Sequence, residues 1–308
     1  MRSDVEFDGF GGVTLRGWLY RPEGSGAAGA AGASVPAVVM AHGFSATRHM
    51  ALTGFADVFS AAGFAVLVYD HRCLGDSDGE PRQEINPWAQ ARDYRYALAW
   101  LAKQPGIDAD RLAVWGSSFS GGEVMVVGAI DPLAKVVIAN APFAGLGSAI
   151  DPAELEARFA EMRAALDDES GGGPADSTDA PIGPLQVVRE PGDETTPAFL
   201  PQPESTAWFV AEGGSGSAWR NTFTLKGLGG DTPFDPAVAA PFLTPKPLLM
   251  VVATRDRVAA TDVALTVFES AKEPKKLTMI EGDHFAPYSG AGLEQASTVA
   301  RDFLLRYL

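Results

Sequence analysis

The 308-residue chain has little cysteine and no long apolar run, and each shortage excludes a class of protein. Its single cysteine, Cys73, excludes an internal disulfide and a cysteine-rich metal site. No stretch approaches the roughly 18 consecutive apolar residues of a membrane span, so none is expected. The start of the chain carries Asp4, Glu6 and Asp8 and has no apolar core, so we expect no signal peptide. Together these shortages favour a cytoplasmic protein.

Positive charge is also scarce, since 24 Lys and Arg residues face 39 Asp and Glu residues and the net charge is −15. Nucleic acid is therefore not expected as a partner, because phosphate binding needs a basic surface. Residues 146–240 hold sixteen of the acidic and five of the basic residues. We interpret this excess as a solvated surface that disfavours strongly anionic substrates. The sequence implies no cofactor and no metal, because it has neither a glycine-rich dinucleotide loop nor a cluster of metal-ligating residues. A homo-oligomer is compatible with the sequence.

Apolar residues, by contrast, are abundant enough for a large core, at 46% of the chain. Short apolar or alternating runs predict buried strands, and amphipathic patterns between them predict helices, such as one that begins at Asn86-Pro87. This alternation predicts an α/β fold with a mostly parallel sheet covered on both faces, in which ligands bind beyond the carboxyl ends of the strands. The predicted strands lie at 13–20, 35–41, 65–70, 111–115, 135–140, 247–253 and 276–280.

The alternation is interrupted in the middle of the chain. Residues 146–240 are rich in proline and glycine, and Asp151-Pro152 predicts a helix over 153–166 without a strand before it. We predict a core formed by 1–145 and 241–308, with 146–240 as an inserted, largely helical cap over the active edge. The alternative to a cap is that residues 146–240 form a flexible segment on the surface.

The run Gly-Ser-Ser-Phe-Ser-Gly-Gly at 116–122 stands between a predicted strand and a helical stretch. A serine at such a turn, with small residues two before and two after it, is typical of a nucleophile elbow. Ser118 meets this pattern with Gly116 and Ser120, so we predict that Ser118 is the nucleophile. Ser120 is the rival because Gly122 lies two after it, whereas Ser117 has the large Phe119 in that position.

A serine nucleophile needs a base, and the chain has four histidines. His284 follows the last predicted strand, where a loop can bring an imidazole over a central nucleophile, so we predict it as the base. His42 opens His-Gly-Phe at 42–44 and is expected to support that loop, with the role of base as a remote alternative. His49 and His71 are interpreted as ordinary polar residues.

The base in turn needs an orienting acid, and Asp256, just after the strand at 247–253, is the best candidate. Asp262 is the alternative, but it begins a helix and is explained by the helix dipole. Asp283 adjoins the histidine and is expected to point elsewhere. The oxyanion of the intermediate needs backbone N–H donors, which we predict to be those of Phe44 and Phe119.

Four ordered blocks resemble the α/β-hydrolase superfamily, and the resemblance covers roughly 1–145 and 240–308. They are His-Gly-Phe at 42–44, Tyr-Asp-His-Arg-Cys-Leu-Gly-Asp-Ser-Asp-Gly at 69–79, the elbow, and then Asp256 and His284. The resemblance implies an eight-stranded sheet and the chain order of nucleophile, acid and base that Ser118, Asp256 and His284 follow. The stretch from Gly79 to Trp88 resembles the subgroup with dienelactone-hydrolase-like enzymes and polyketide transferases.

The leading hypothesis is therefore a serine hydrolase that cleaves a carboxylic ester, lactone or thioester through an acyl-enzyme. Acyl transfer by the same triad is the alternative, because an aromatic cap would suppress attack by water. A third and remote hypothesis is a non-catalytic ligand receptor on this scaffold. It is disfavoured because candidates for all three triad members are present. Five aromatic residues suggest a pocket for a small apolar or aromatic substrate, or else form the core of the cap: Trp88, Trp208, Phe209, Trp219 and Phe234.

Overall fold

A computed structural model describes residues 1–23, 34–147, 150–170, 180–193, 195–214, 216–230 and 232–308. The sequence also predicts a loop over the Gly- and Ala-rich residues 24–34, between two early strands, and of these 24–33 lie outside the described residues. In the described parts, no helix is both long and apolar enough to cross a lipid bilayer.

Eight strands form one large sheet in the order β1-β2-β4-β3-β6-β7-β10-β11, and three short ones form a second sheet in the order β5-β9-β8. In the large sheet only the β1–β2 and β2–β4 pairs are antiparallel. The predicted α/β class and mostly parallel sheet are thus confirmed. The strands are β1 Arg2–Asp8, β2 Thr14–Tyr20, β3 Val35–Ala41, β4 Ala65–Tyr69, β5 Glu84–Ile85, β6 Ile107–Ser117, β7 Ala134–Asn140, β8 Ile182–Leu185, β9 Phe223–Leu225, β10 Leu248–Ala253 and β11 Lys275–Ile280.

Helices cover both faces of the large sheet. The helices are α1 Thr53–Ala61, α2 Pro87–Ala102, α3 Phe119–Ile130, α4 Leu155–Asp167, α5 Pro203–Gly213, α6 Pro236–Ala239, α7 Thr261–Ser270 and α8 Gly290–Tyr307. Helices α1 and α8 pack on one face, whereas α2, α3 and α7 pack on the other. The predicted start of α2 is confirmed, because the Asn86 side chain accepts hydrogen bonds from the backbone of Trp88 and Ala89.

The central strands are apolar throughout because both of their faces are buried. In β4, for example, Ala65, Leu67 and Tyr69 face one apolar layer, while Val66 and Val68 face the other. All five residues are fully buried.

Residues 146–240 contain two differently placed parts. Helix α4 packs against α2 on a flank of the large sheet. Helix α5 lies at the carboxyl edge of that sheet, where its Trp208 stacks on Phe285 with ring centroids 5.0 Å apart. Strand β9 pairs with both β8 and β5, and β5 lies outside this segment. The division into core and cap stays a prediction.

The strand register brings the predicted site residues to one edge. Ala41 at the end of β3 pairs with Gly116 of β6, and Ala253 of β10 pairs with Ile280 of β11. The loops that follow β3, β6, β10 and β11 therefore leave the sheet side by side, as the carboxyl ends of parallel strands do.

Candidate active site

Ser118 lies between β6 and α3 in a strained conformation. Its φ is +54° and its ψ is −114°, in a region that residues other than glycine rarely occupy. Two hydrogen bonds hold this turn, one from the Ser118 N–H to the Asn140 carbonyl and one from the Phe143 N–H to the Ser118 carbonyl, each 2.8 Å long. The backbone thus projects the Ser118 side chain from a fixed point at the sheet edge.

Glycines surround this turn because the chain passes too closely for side chains. A β-carbon at Gly116 would overlap the carbonyl oxygen of Ser120. At Gly43, a β-carbon would lie 2.7 Å from the Ser118 Cβ and 3.3 Å from its Oγ. The His-Gly-Phe loop and the elbow are therefore packed directly against each other.

Ser118, His284 and Asp256 form a continuous hydrogen-bonded relay. The His284 Nε2 lies 2.9 Å from the Ser118 Oγ, and the His284 Nδ1 lies 2.6 Å from the Asp256 Oδ2. Both the histidine and the aspartate are buried. This arrangement orients the ring so that Nε2 can accept the hydroxyl proton while Nδ1–H donates to the carboxylate.

The Asp256 carboxylate is itself held in place by its own loop. Its Oδ1 accepts 2.8 Å hydrogen bonds from the backbone N–H groups of Val258 and Ala259, which leaves Oδ2 for His284. The alternative acid, Asp262, is exposed in the first turn of α7. Asp283 accepts a hydrogen bond from the N–H of Phe285 in its own loop. Neither Asp262 nor Asp283 therefore occupies the position that Asp256 has.

His42 is bound on both ring nitrogens within the loop that it opens. The His71 N–H donates to the His42 Nε2 over 3.1 Å, so Nε2 carries no proton and Nδ1–H donates to the Gly43 carbonyl over 2.9 Å. Burial lowers the pKa of His42, which agrees with a neutral ring. The His42 ring therefore supports the His-Gly-Phe loop, which is the role that the sequence predicts for it.

Two backbone N–H groups next to Ser118 are candidates for the oxyanion site. Phe119 is the first residue of α3, so its N–H has no acceptor within the helix and lies at the positive end of the helix dipole. Phe44 follows Gly43, which contacts Ser118. Both residues line the same cavity as Ser118.

The relay opens into a narrow cavity of about 80 Å³ with mainly aromatic walls. Ser118 and His284 are among the residues that line it. Its wall combines core residues with residues of the 146–240 segment: Phe44, Phe119, Phe143, Phe199, Leu200, Trp208, Phe209, Phe285 and Tyr288. Besides Ser118, two hydroxyl-bearing residues are among the described residues that line it, Ser117 and Tyr288, and their hydroxyls are hydrogen-bonded to each other over 3.1 Å.

The five predicted pocket aromatics are separated by the structure. Trp208 and Phe209 line the cavity, whereas Trp219 packs behind Phe209 with ring centroids 5.5 Å apart. Trp88 and Phe234 are fully buried and contact each other edge to face, away from the cavity lining described. Trp88 and Phe234 are therefore interior residues and Trp219 is partly exposed, and none of the three is among the described residues that line the cavity.

Sequence reasoning missed several residues of the cavity wall. Phe285 and Tyr288 follow His284 closely in the sequence and flank or end the short turn Ala286–Tyr288. Their closeness to the predicted base could have identified them as residues of the site. Phe199 lies in an irregular stretch and stacks on Phe44 with ring centroids 4.8 Å apart. Nothing in its local sequence distinguishes it from the other aromatics of 146–240.

The sheet order and the relay at its carboxyl edge are those of an α/β-hydrolase, an enzyme superfamily. A model of the X-Pro dipeptidyl-peptidase (S15) family matches residues 8–286, and the chain belongs to this family. The crystal structure of the α/β hydrolase GrgF from Penicillium superposes with a TM-score of 0.74 at 27% identity, over 100% of this chain and 99% of that one.

Curated relatives carry several functional names. A thiohydrolase of Eupenicillium brefeldianum is 28% identical over 95% of this chain and 90% of its own length. A polyketide transferase of Aspergillus fumigatus is 29% identical over 100% of this chain and 99% of its own length. The quorum-quenching protein AidA of Acinetobacter baumannii is 41% identical, but the match spans 46% of this chain and only 43% of that protein.

Proposed function

We propose that the protein is a serine hydrolase that cleaves a carboxylic ester, lactone or thioester through an acyl-enzyme on Ser118. The observation that carries this proposal is the relay itself, with 2.9 Å between the Ser118 Oγ and His284 and 2.6 Å between His284 and Asp256. The relatives named thiohydrolase and polyketide transferase support chemistry on acyl groups.

In this mechanism the Ser118 Oγ attacks the acyl carbon while its proton passes to the His284 Nε2. Asp256 stabilises the imidazolium that forms and keeps its orientation. The N–H groups of Phe44 and Phe119 receive the developing oxyanion. His284 then protonates the leaving group, and a water molecule activated by the same ring releases the acid.

The cavity favours an apolar or aromatic acyl group. Its walls are aromatic, and stacking between flat rings adds to the free energy of burial. No acidic side chain is among the described residues that line it. A dipeptide with a charged amino terminus would leave that ammonium unpaired in an apolar site, so an ester suits this cavity better than an X-Pro peptide.

Acyl transfer to an alcohol or amine is the second candidate, favoured by the aromatic wall that restricts water around Ser118. The name polyketide transferase in three relatives that match over nearly their full length points the same way. Both candidates use the same acyl-enzyme and differ only in the group that attacks it.

A single set of assays tests both candidates. The wild type is assayed against p-nitrophenyl esters, lactones, thioesters and an X-Pro anilide, with and without a competing alcohol. We expect Ser118→Ala to lose ester turnover and labelling by a fluorophosphonate, whereas the control Ser270→Ala, at the end of α7, keeps both. Full labelling of Ser118→Ala would place the nucleophile elsewhere, and free acid as the sole product would contradict transfer.

A further inference from the structure

Three polar side chains form a buried cluster directly behind the elbow, on the side away from the cavity. The Ser120 Oγ lies 2.7 Å from the His71 Nε2 and 2.8 Å from the Glu123 Oε2. It also lies 2.6 Å from the His42 carbonyl oxygen. All of these groups are almost completely buried, and the mechanism above uses none of the three side chains.

The protons of this cluster can be assigned from its partners and its burial. Burial raises the pKa of Glu123 to about 8 and lowers that of His71 well below its usual value, so both are neutral at pH 7. The neutral Glu123 carboxyl donates to the Ser120 Oγ, and His71 Nε2–H donates to the same oxygen. The single Ser120 hydrogen is then directed to the His42 carbonyl, which only accepts.

This last hydrogen bond reaches the loop that carries a predicted oxyanion donor. The His42 carbonyl belongs to the peptide that joins His42 to Gly43, one residue before Phe44. The His42 ring is fixed in turn by the His71 N–H and the Gly43 carbonyl. Ser120 thus links the first turn of α3 to the loop after β3, and His71 adds the loop after β4.

We propose that Ser120, Glu123 and His71 are positioning residues for the oxyanion loop, and that loss of the Glu123 proton turns the Ser120 hydroxyl from the His42 carbonyl to the carboxylate. One proton leaves to solvent, the Glu123–OH donation to Ser120 ends, and Ser120 donates to Glu123 instead. The His42 carbonyl loses this partner, and the loop with the Phe44 N–H loses an anchor. The proposal rests on the serine chemistry proposed above.

Other titratable groups face Glu123 from the elements around it. Tyr69 of β4 and Tyr94 of α2 have pKa values raised well above 10 by burial, so they stay neutral below pH 9. His42 is neutral because burial lowers its pKa. Asp93 of α2 is paired with Arg72 at 2.6 Å. Tyr94 and His71 also contact the Ser120 hydroxyl, and the His71 Nε2 lies 3.3 Å from the Glu123 Oε2. Of the groups that contact this hydroxyl, Glu123 is the one whose charge changes between pH 7 and pH 9.

The test is the pH profile of kcat on a p-nitrophenyl ester, corrected for hydrolysis without enzyme. With a Glu123 pKa of about 8, about nine molecules in ten hold the proton at pH 7 and about one in ten at pH 9. Because loss of the hydrogen bond to the His42 carbonyl is expected to cost about 10-fold in kcat, as in the Ser120→Ala variant below, the wild-type kcat should be about 5-fold lower at pH 9 than at pH 7. Glu123→Gln keeps a donor toward Ser120 but cannot ionise, so its ratio of kcat at pH 9 to kcat at pH 7 should approach one. A merely structural role would not change this ratio.

A second variant covers the case in which Glu123→Gln does not fold. Ser120→Ala removes the hydroxyl that connects the cluster to the loop, so kcat at pH 7 should fall about 10-fold with KM nearly unchanged, and the alkaline decline should disappear. A decline like that of the wild type in either folded variant would overturn this proposal alone. Absence of wild-type turnover on every ester, lactone and thioester would instead overturn the proposed function.

Discussion

At the scale of single residues, the orientation of Asp256 determines what His284 can do. Asp256 uses Oδ1 for two backbone N–H groups and Oδ2 for the His284 Nδ1. In Asp256→Asn the amide oxygen is expected to keep the backbone donors, which turns the NH₂ group toward Nδ1. The ring then carries its proton on Nε2 and cannot accept one from Ser118. We predict a loss in kcat of roughly 10³–10⁴-fold with KM little changed, measured by steady-state ester hydrolysis.

Asp262→Asn is the matched control for this change. Asp262 is also an aspartate in the chain that follows β10, but it is exposed in the first turn of α7, so its variant should keep wild-type kcat. Equal losses in the two variants would contradict the role proposed for Asp256. Full activity of Asp256→Asn would contradict it as well.

The sequence predicts Ser118, Asp256 and His284 because each directly follows a strand whose end could be recognised. The cluster around Ser120 could not be predicted in this way. Ser120 was interpreted as the small residue two after Ser118 or as a rival nucleophile, and His71 as an ordinary polar residue. Their contacts join α3 to loops that follow β3 and β4, so no local pattern connects them.

At the scale of secondary structure elements, the sequence predicts those that are long and buried on a regular period. The strands of the parallel part and the helices α1, α2, α3, α7 and α8 all belong to this class. Strand β1 was missed because it is an edge strand whose residues are mostly exposed, so it lacks an apolar run. The short strands β5, β8 and β9 depend on pairing between distant segments, which a local pattern cannot reveal.

The elbow is an element whose geometry depends on one glycine. A β-carbon at Gly116 would overlap the Ser120 carbonyl, so Gly116→Ala must move the first turn of α3 and the nucleophile with it. We predict that the unfolding free energy falls by about 1–3 kcal/mol and that kcat falls about 100-fold. Urea unfolding and ester hydrolysis measure the two effects.

Gly214→Ala serves as the control for Gly116→Ala. Gly214 follows α5 with a φ of −76°, and a β-carbon there would meet only the Val210 carbonyl at an ordinary 3.4 Å. Its stability and kcat should therefore match those of the wild type. If Gly116→Ala behaved in the same way, the elbow would be more adaptable than its packing indicates.

At the scale of the whole molecule, the candidate site is assembled from two parts of the chain with different sequence signals. The large sheet supplies the relay, and its regular alternation made the position of the relay predictable. Residues 146–240 supply Phe199, Leu200, Trp208 and Phe209 to the cavity wall, but this segment has no regular period. Its aromatics could therefore be recognised as apolar, whereas their division between cavity and interior could not be predicted.

The stability of the whole molecule should also depend on pH through Glu123. Its pKa is raised from 4.5 to about 8 by burial, so between these values the folded chain keeps a proton that the unfolded chain has lost. Stability therefore falls as pH rises through this window. Burial lowers the pKa values of His42 and His71, so their effect is a rise in stability with pH that levels off only above the unfolded pKa of about 6.5. These two histidines therefore partly oppose the decline from Glu123, and the comparison of wild type with a Glu123 variant separates the two effects.

We expect the wild type to lose, relative to Glu123→Gln, on the order of 1–2 kcal/mol of unfolding free energy between pH 6.5 and pH 8, measured by urea unfolding. The variant keeps the contribution of the histidines but lacks that of Glu123, because its amide does not titrate. A parallel decline in both proteins would assign the lost proton to another group, and Asp93, whose pKa burial also raises, would be the next to test. A decline confined to the wild type would assign the lost proton to Glu123, while the pH profile of kcat decides separately whether the same proton limits turnover.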